Sequence, residues 1–208
     1  MKLTTVPFIL AAMATLTHAL VPYPPIPGYS ISEPEWEIEV APNKTILARG
    51  TVQQMRKQAL AANPDYDAFV QQKQAHRESE PAAELHKRLA QDFNLDHIEC
   101  EGDFGKVPYM VAQKVVNQVR ALEGHPKNGP GPNACQRVSC EEDGAVYWWN
   151  DEPYTKYLID GYGAIADGAM AVLLECSEIS GGAFAYRKVA GRAFHTANWN
   201  VVVKKDSC

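Results

Sequence analysis

The hydrophobic pattern is densest in the second half of the chain, where it predicts two helices. In residues 107–122, apolar side chains recur at spacings of three and four and form one stripe, which predicts an amphipathic helix. Pro108 suits the first turn of this helix and Gly124 suits its end. A second helix is predicted for residues 163–178, with Cys176 on its buried side.

Short apolar or β-branched runs predict four strands, at residues 135–139, 145–149, 183–189 and 199–204. The dipeptide Asp143-Gly144 lies between the first two runs, which predicts a hairpin. The order helix, hairpin, helix, hairpin predicts an α+β fold in which an antiparallel sheet of about four strands carries two packed helices.

Apolar positions are much sparser in residues 20–88. A short alternation around Trp36, Ile38 and Val40 gives a weak strand-like signal. Residues 52–60 and 66–88 are rich in helix formers, but their apolar side chains are too few to build a core. We therefore expect a poorly ordered segment, largely disordered or helical, or one that is draped on another part of the protein.

The N-terminus has the pattern of a secretory signal peptide. Lys2 precedes an apolar run at residues 6–16, and Thr17-His18-Ala19 has the small-x-small form of a cleavage site. The run is shorter than the roughly 20 apolar residues of a membrane span. We expect a signal peptide at residues 1–19, cleaved after Ala19, no membrane span, and a secreted, extracellular product.

The cysteines lie on one side of a dibasic pair. All of them follow Lys87-Arg88, at Cys100, Cys135, Cys140, Cys176 and Cys208. A Lys-Arg pair matches the cleavage site of processing proteases in the eukaryotic secretory pathway. The arrangement predicts a pro-segment at residues 20–88, cleavage after Arg88, and a mature disulfide-stapled domain at residues 89–208. The sequon that begins at Asn43 predicts one glycan in the pro-segment.

An odd number of cysteines leaves one thiol unpaired. Five cysteines allow two bridges and one orphan, and the fifteen possible arrangements cannot be separated by sequence. Each bridge would stabilise the domain by about 2–4 kcal/mol. An orphan thiol in a secreted protein suggests a buried thiol, a dimer formed through the unpaired cysteine, or a bridge lost by substitution.

Charge argues against two classes of partner. The formal net charge is −5 at pH 7, and residues 89–208 contain sixteen acidic and eleven basic side chains. This balance lacks the basic footprint that nucleic acids and anionic membranes require, so neither is expected as a partner.

Several motifs in the second half of the chain resemble a family of small secreted cysteine-containing proteins of filamentous ascomycete fungi. They are Gly129-Pro130-Gly131-Pro132 before Cys135-Gln136-Arg137-Val138-Ser139-Cys140, Trp149-Asn150-Asp151, Ile165-Ala166-Asp167-Gly168-Ala169, and Phe194 with Trp199-Asn200-Val201-Val202-Val203. The resemblance implies a candidate host-interaction effector. The layout is also distantly similar to fungal killer-toxin-like and necrosis-inducing effector domains.

The resemblance also bears on the unpaired cysteine. In the family pattern a cysteine commonly precedes the Asn-Asp pair, and here Trp149 stands in that place. Cys176 lies on a buried helix stripe and Cys208 must tether the last strand, so both are better candidates for bridges than Cys140. We therefore predict that Cys140 is the free thiol, and that Trp149→Cys captures Cys140 if the family's bridge joins those positions.

Candidate catalytic residues lack a supporting motif. His97, His125 and His195 could each serve a cysteine nucleophile, but no nucleophile motif is present. No two of these histidines share a helix at metal-ligand spacing, so zinc is not expected. Arg137 and Glu141 with His195 could form a ribonuclease site, although any domain of this size offers such a trio. We assign no catalytic, cofactor-binding or metal-binding residues.

Three adjacent aromatic residues offer a possible binding surface. Tyr147, Trp148 and Trp149 share one predicted strand, so alternate rings face opposite sides of the sheet. One side must be core, and the other is either a second buried layer or an exposed partner-binding patch. We favour burial of both sides.

These observations favour a secreted effector of the virulence type that binds a host or competitor macromolecule after release at the dibasic site. Translocation into host cells is compatible with such a role. The alternative is a small secreted hydrolase such as a ribonuclease. A structural protein of the cell wall or spore surface is a third class, but the repeats and Ser/Thr-rich stalk typical of that class are absent.

Overall fold

The fold combines α-helices and β-sheets, as the sequence predicted. The computed structural model describes residue 28 and residues 30–74, 82–100, 104–158, 161–180 and 186–208. These ranges contain five α-helices, one short 3-10 helix and twelve strands in four sheets. The α+β class is confirmed, whereas the expected number of about four strands is too small.

A five-stranded mixed sheet forms the centre of the molecule. Its strands, in spatial order, are β1 (Ser30–Ser32), β6 (Ala134–Glu141), β7 (Gly144–Asn150), β12 (Trp199–Lys205) and β11 (Gly191–His195). Its neighbours pair antiparallel except β1, which adds to the edge of β6 in parallel. The sequence predicted three of these strands closely. The edge strand β1 comes from the part of the chain that we expected to be poorly ordered.

The hairpin between β6 and β7 turns one residue earlier than predicted. Glu142 and Asp143 occupy the turn with φ of 51° and 62°. Two consecutive positive φ angles are typical of the type I′ turn, which matches the twist of the flanking strands. Gly144 is therefore the first residue of β7 and not part of the turn.

Two helices cover one face of the central sheet. They are α4 (Tyr109–Arg120) and α5 (Tyr162–Glu175), close to the two predicted helices. Gly168 on α5 allows a close approach, because a Cβ atom there would lie 2.7 Å from the Phe93 ring and 2.8 Å from Val201. The core between helices and sheet includes the fully buried Trp148 and Val201.

Residues 30–74 and 82–92 are folded against this core. They form β1 and, in chain order, β2 (Glu35–Ala41), β3 (Lys44–Arg49), α1 (Val52–Ala62), α2 (Tyr66–Gln74) and α3 (Ala82–Asp92). Trp36, Val40, Met55 and Ala59 are each at most 1% exposed and belong to the same core as Trp148. The apolar residues of this segment are too few for a core of their own, but they complete the core of the downstream part.

The remaining strands of the described residues are short and form three small sheets. β2 pairs with β3, and β4 (Val107–Pro108) pairs with β10 (Tyr186–Val189), which also pairs with β9 (Glu178–Ser180). β5 (Lys127–Asn128) pairs with β8 (Lys156–Tyr157), and a 3-10 helix spans Leu95–His97. Of the strand predicted at residues 183–189, residues 183–185 lie outside the described ranges. No helix in those ranges is long and apolar enough to cross a membrane.

Two disulfides join residues within the part of the chain that follows Arg88, and their pairing shows that one prediction is wrong. Cys100 is bonded to Cys176, and Cys140 is bonded to Cys208. The free thiol is therefore Cys135 and not Cys140. The hairpin brings Cys140 opposite Ala145, next to the end of β12, where the C-terminal cysteine reaches it.

The unpaired Cys135 is completely buried on the sheet face opposite α4 and α5. Burial raises the pKa of its thiol, so the thiol stays protonated. A dimer through the unpaired cysteine, which the odd count had suggested, is therefore not available to this thiol in the folded protein.

Thiol labelling should identify Cys135 as the free cysteine. We expect no label on the native protein and a single label, mapped to Cys135, on protein denatured without reductant. Label on Cys140 would contradict the bridge to Cys208, and rapid labelling of the native protein would contradict the burial of Cys135.

Trp149→Cys should create a third bridge, because Trp149 is the direct cross-strand partner of Cys135. Such pairs have Cα atoms roughly 4.5–5.5 Å apart, within the range of about 4.4–6.8 Å that disulfides span. We expect the oxidised variant to show no free thiol after denaturation. Two free thiols, or a bridge from position 149 to another cysteine, would contradict the strand register.

Candidate functional site

The three aromatic residues on β7 do not form a binding surface. Tyr147, Trp148 and Trp149 are each 0% exposed. Trp148 faces the helices, while its two neighbours lie in a smaller apolar layer on the opposite side of the sheet. Both sides of β7 are therefore buried, which excludes a partner-binding patch made of these rings in the folded protein.

The ribonuclease trio is not assembled. Glu141 pairs with Gly144 at one end of the sheet, whereas His195 pairs with Trp199 at the other end. Arg137 lies on β6, where its guanidinium group binds the backbone oxygen of Ser207 at 3.0 Å. Side chains at opposite ends of a sheet cannot converge on one phosphate group.

The other hydrolase candidates have no supporting geometry either. His97 stacks on Phe194 and His195 stacks on Trp199, with ring centroids 5.5 Å and 4.2 Å apart. A cysteine nucleophile requires a lowered thiol pKa, whereas burial raises that of Cys135. Within the described ranges, no three His, Cys, Asp or Glu side chains are placed to hold a metal ion.

The dibasic pair lies within α3 and is partly tied down. Lys87 is exposed, but Arg88 Nε lies 2.8 Å from Oδ2 of the buried Asp167 on α5. The next residue, Leu89, is 0% exposed. The expected cleavage site is therefore only partly accessible, since a protease would have to unwind α3 to reach the bond between Arg88 and the buried Leu89.

Of the other two predicted modification sites, the structure describes Asn43 but not Ala19. Asn43 is exposed at the turn between β2 and β3, where its φ of 61° places it in the left-handed region. A glycan at this position would point away from the core. Ala19 and the rest of the expected signal peptide lie outside the described residues.

Three of the sequence motifs meet at one end of the central sheet, near the side chain of Asn150. They are the motifs at residues 129–132, 149–151 and 199–203. The Asn150 amide group donates hydrogen bonds to the backbone oxygens of Asn128 and Tyr154, at 3.1 Å and 2.7 Å. Its Oδ1 atom accepts a hydrogen bond from the backbone N–H of Glu152 at 3.0 Å. One fully buried side chain therefore fixes two loops, at residues 127–133 and 151–158.

The Gly-Pro repeat is explained by this packing. Gly131 lies against the loop that follows β7, and a Cβ atom there would lie 2.1 Å from the backbone oxygen of Glu152. No other residue fits at that distance without moving the backbone. Asn128, which precedes the repeat, is also buried and donates to the backbone oxygen of Trp148 at 2.9 Å.

Two tyrosine rings project from the loop that Asn150 holds. Tyr154 is 62% exposed and Tyr157 is 63% exposed, whereas all four tryptophans are buried. The backbone beneath them is fixed by Asn150, by the pairing of β8 with β5, and by the buried Leu158. We call the exposed area around Tyr154 and Tyr157 the tyrosine surface.

Charged and polar groups border the tyrosine surface. Glu152 accepts a hydrogen bond from Asn198 Nδ2 at 3.1 Å and lies 3.8 Å from Lys156 Nζ. The hydrogen bonds from Asn198 and then Tyr154 lower the pKa of Glu152, and the Glu152 carboxylate raises the pKa of Tyr154. The rim of the surface is therefore ordered as well as charged.

A second polar cluster supports this end of the sheet from β11. The Arg192 guanidinium group lies over the rings of Trp149 and Phe194, 4.9 Å and 4.4 Å from their centroids. Arg192 Nε donates to Asn200 Oδ1 at 2.9 Å, and Asn200 donates to Asp151 at 2.7 Å. These contacts hold Asp151, the first residue of the loop that carries the tyrosines.

A groove of about 300 Å³ lies elsewhere, between the β2–β3 hairpin, α2 and the end of α4. Its lining includes the apolar residues Ile38 and Leu122 and the acidic residues Glu37 and Glu123. Because its walls come from both sides of the dibasic pair, the groove exists only while both parts of the chain are together.

Tyr154 and Tyr157 are not among the residues that the sequence predicts for the site. Their signal is the run Asp151-Glu152-Pro153-Tyr154, which predicts a turn that follows a strand and therefore an exposed position. From the sequence, the β7 aromatics were the one possible binding surface, and burial of both of their sides was favoured.

Comparison with known proteins adds no relative: no protein-family model, curated protein or solved structure matches this chain.

Asn150→Ala should destabilise the protein strongly. It removes three hydrogen bonds from a fully buried site, which should lower the free energy of unfolding by about 2–4 kcal/mol. Urea denaturation followed by tryptophan fluorescence measures this change. Asn117→Ala, at an exposed position on α4, is the matched control and should leave stability within about 0.5 kcal/mol. Equal stability of the two variants would contradict the role of Asn150.

Proposed function

We propose that the protein is a secreted effector of the virulence type that binds a host or competitor macromolecule through the tyrosine surface. The observation that carries this proposal is the exposure of Tyr154 and Tyr157 on a loop whose backbone is fixed by buried hydrogen bonds. Ordered tyrosine side chains give a large contact area and lose little conformational entropy on binding. They are also among the residues that contribute most to binding energy at protein interfaces.

Secretion is supported by two independent features. The N-terminal pattern is that of a signal peptide, and disulfides such as Cys100–Cys176 and Cys140–Cys208 form and persist mainly in oxidising compartments. The resemblance of the motifs at residues 129–140 and 149–151 to fungal secreted proteins supports an effector role. Three of those motifs converge beside the tyrosine surface, so the region that carries the resemblance also carries the candidate binding site.

Binding is preferred over hydrolysis because the residues that a hydrolase would need are apart. Glu141 and His195 lie at opposite ends of the sheet, and Cys135 is buried and protonated. No specific observation favours a ribonuclease, and the acidic net charge of −5 disfavours binding of an RNA substrate.

The proposal predicts that the double variant Tyr154→Ala/Tyr157→Ala loses binding. With tagged protein and extracts of host tissue, the recovery of specifically bound macromolecules should fall at least about tenfold, the order expected for hot-spot aromatic residues. Tyr186→Ala removes a tyrosine ring that is 49% exposed on β10 and should bind as the wild type does.

Melting curves of the three proteins should coincide, since the rings that are removed are exposed. Full binding by the double variant would contradict the proposal. Degradation of RNA by the purified wild type at catalytic rates would favour the hydrolase instead.

A further inference from the structure

We propose that cleavage after Arg88 does not release a free domain, and that the upstream chain stays bound to residues 89–208 as a non-covalent second chain. This inference rests on the cleavage after Arg88 that the sequence predicts for the proposed secreted effector. Residues 30–74 share a sheet, an apolar core and a hydrogen-bond network with residues 89–208, and Arg88 joins a buried ion cluster of the downstream part.

The shared sheet is the first contact. Ser30, Ile31 and Ser32 pair in register with Ala134, Cys135 and Gln136 at the edge of the central sheet. Loss of the upstream chain would leave β6 as an open edge strand, which presents unpaired N–H and C=O groups to other chains.

The shared core is the second contact. Trp36 is 1% exposed and stacks on Tyr162 of α5, with ring centroids 4.8 Å apart. The upstream residues Val40 and Met55 are also buried, in the same cluster as Trp148 of β7. Dissociation would return these apolar surfaces on both chains to water, which the hydrophobic effect opposes.

The third contact is a set of hydrogen bonds that only the upstream chain can make. Gln53 of α1 donates from Nε2 to Gln118 Oε1 at 2.7 Å and to Ser139 Oγ at 2.9 Å. Its Oε1 atom accepts a hydrogen bond from the backbone N–H of Cys140 at 3.0 Å. Ser139 is fully buried, so the departure of Gln53 would deprive buried groups of partners.

The fourth contact is at the cleavage site. Asp167, with a side chain only 8% exposed, lies between Arg88 at 2.8 Å and Arg120 at 2.7 Å. Arg88 is the last residue of the upstream chain after cleavage, and a buried carboxylate strongly favours keeping its cationic partners. After cleavage, the ion pair with Asp167 would therefore still hold Arg88 on the downstream domain.

No covalent bond can hold the two chains together. All five cysteines lie downstream of Arg88, and both bridges join downstream residues. Denaturant without reductant would therefore separate the two chains, which distinguishes this proposal from a disulfide-linked product.

The test uses the oxidised full-length protein, cut in two ways. One sample is treated with a dibasic-specific endoprotease, which cuts after Arg88. In a second sample, a viral protease site replaces residues 75–81, and the protein is cut at that site. Each product is passed over a size-exclusion column in native buffer, with and without reductant, and in denaturant, and the fragments are identified by mass. We expect both fragments to co-elute in native buffer and to separate only in denaturant.

A downstream fragment that elutes alone in native buffer after either cut would overturn the proposal. The engineered site gives this answer even if α3 shields the bond after Arg88. The test does not involve Tyr154 or Tyr157, so loss of the proposed binding function and loss of the two-chain product would be seen separately.

Two glutamines of α1 supply a matched pair of variants. Gln53→Ala removes the hydrogen bonds across the interface, whereas Gln58→Ala removes contacts with Arg49 and Gln54 that lie within the upstream chain. With the cut protein immobilised through its downstream chain, Gln53→Ala should speed the loss of the upstream chain at least about tenfold. Gln58→Ala should leave the rate unchanged, and equal rates for both variants would contradict the assigned interface.

Discussion

The rest of the structure depends on one apolar core that is built from residues on both sides of the dibasic pair. The stacking of Trp36 on Tyr162 is one contact of this core. The upstream chain has too few apolar residues to fold alone, and the downstream chain would expose α5 and one edge of its sheet without it. The downstream part supplies the apolar core that the upstream chain lacks, and the upstream chain covers α5 and the open edge of the sheet. The division into a dispensable pro-segment and an independent domain therefore does not follow from the position of Lys87-Arg88.

At the Asn150 end of the central sheet, side chains that are distant in the sequence also hold the loops in place. The side chain of Asn150 fixes the loops on either side of it, and Arg192 fixes Asp151 through Asn200. Buried amide groups are costly unless every hydrogen bond is made, so these residues define one loop conformation. The backbone that carries the exposed rings of Tyr154 and Tyr157 is held in place by these interactions beneath it, and the Tyr154 side chain is also hydrogen-bonded to Glu152.

Local structure was predictable from the sequence where one face of an element is apolar. The valine stripe of α4 and the hairpin of β6 and β7 follow from periodicity and turn chemistry within the segment itself, and the α+β class follows from their order. The strand signal around Trp36 also corresponds to β2. In these elements the local pattern and the tertiary fold favour the same conformation.

Features that depend on distant parts of the chain were not predictable. The partner of Gln53 is 65 residues away in the sequence, so nothing local indicates that α1 is anchored. The resemblance identified position 149 as the place of a missing cysteine, but only the strand register shows that Cys135 lies opposite it. The burial of both faces of β7 was favoured, whereas the exposed tyrosines were missed because exposure on a fixed loop depends on Asn150.

Native-state hydrogen exchange tests most directly whether the two parts form one cooperative fold. The account predicts that the slowest amides of α1 (Val52–Ala62) exchange with the same opening free energy as those of β7 (Gly144–Asn150), both equal to the free energy of global unfolding. Opening of α1 at a free energy several kcal/mol below that of β7 would contradict it, because the upstream chain would then be a loosely attached segment and not part of the core.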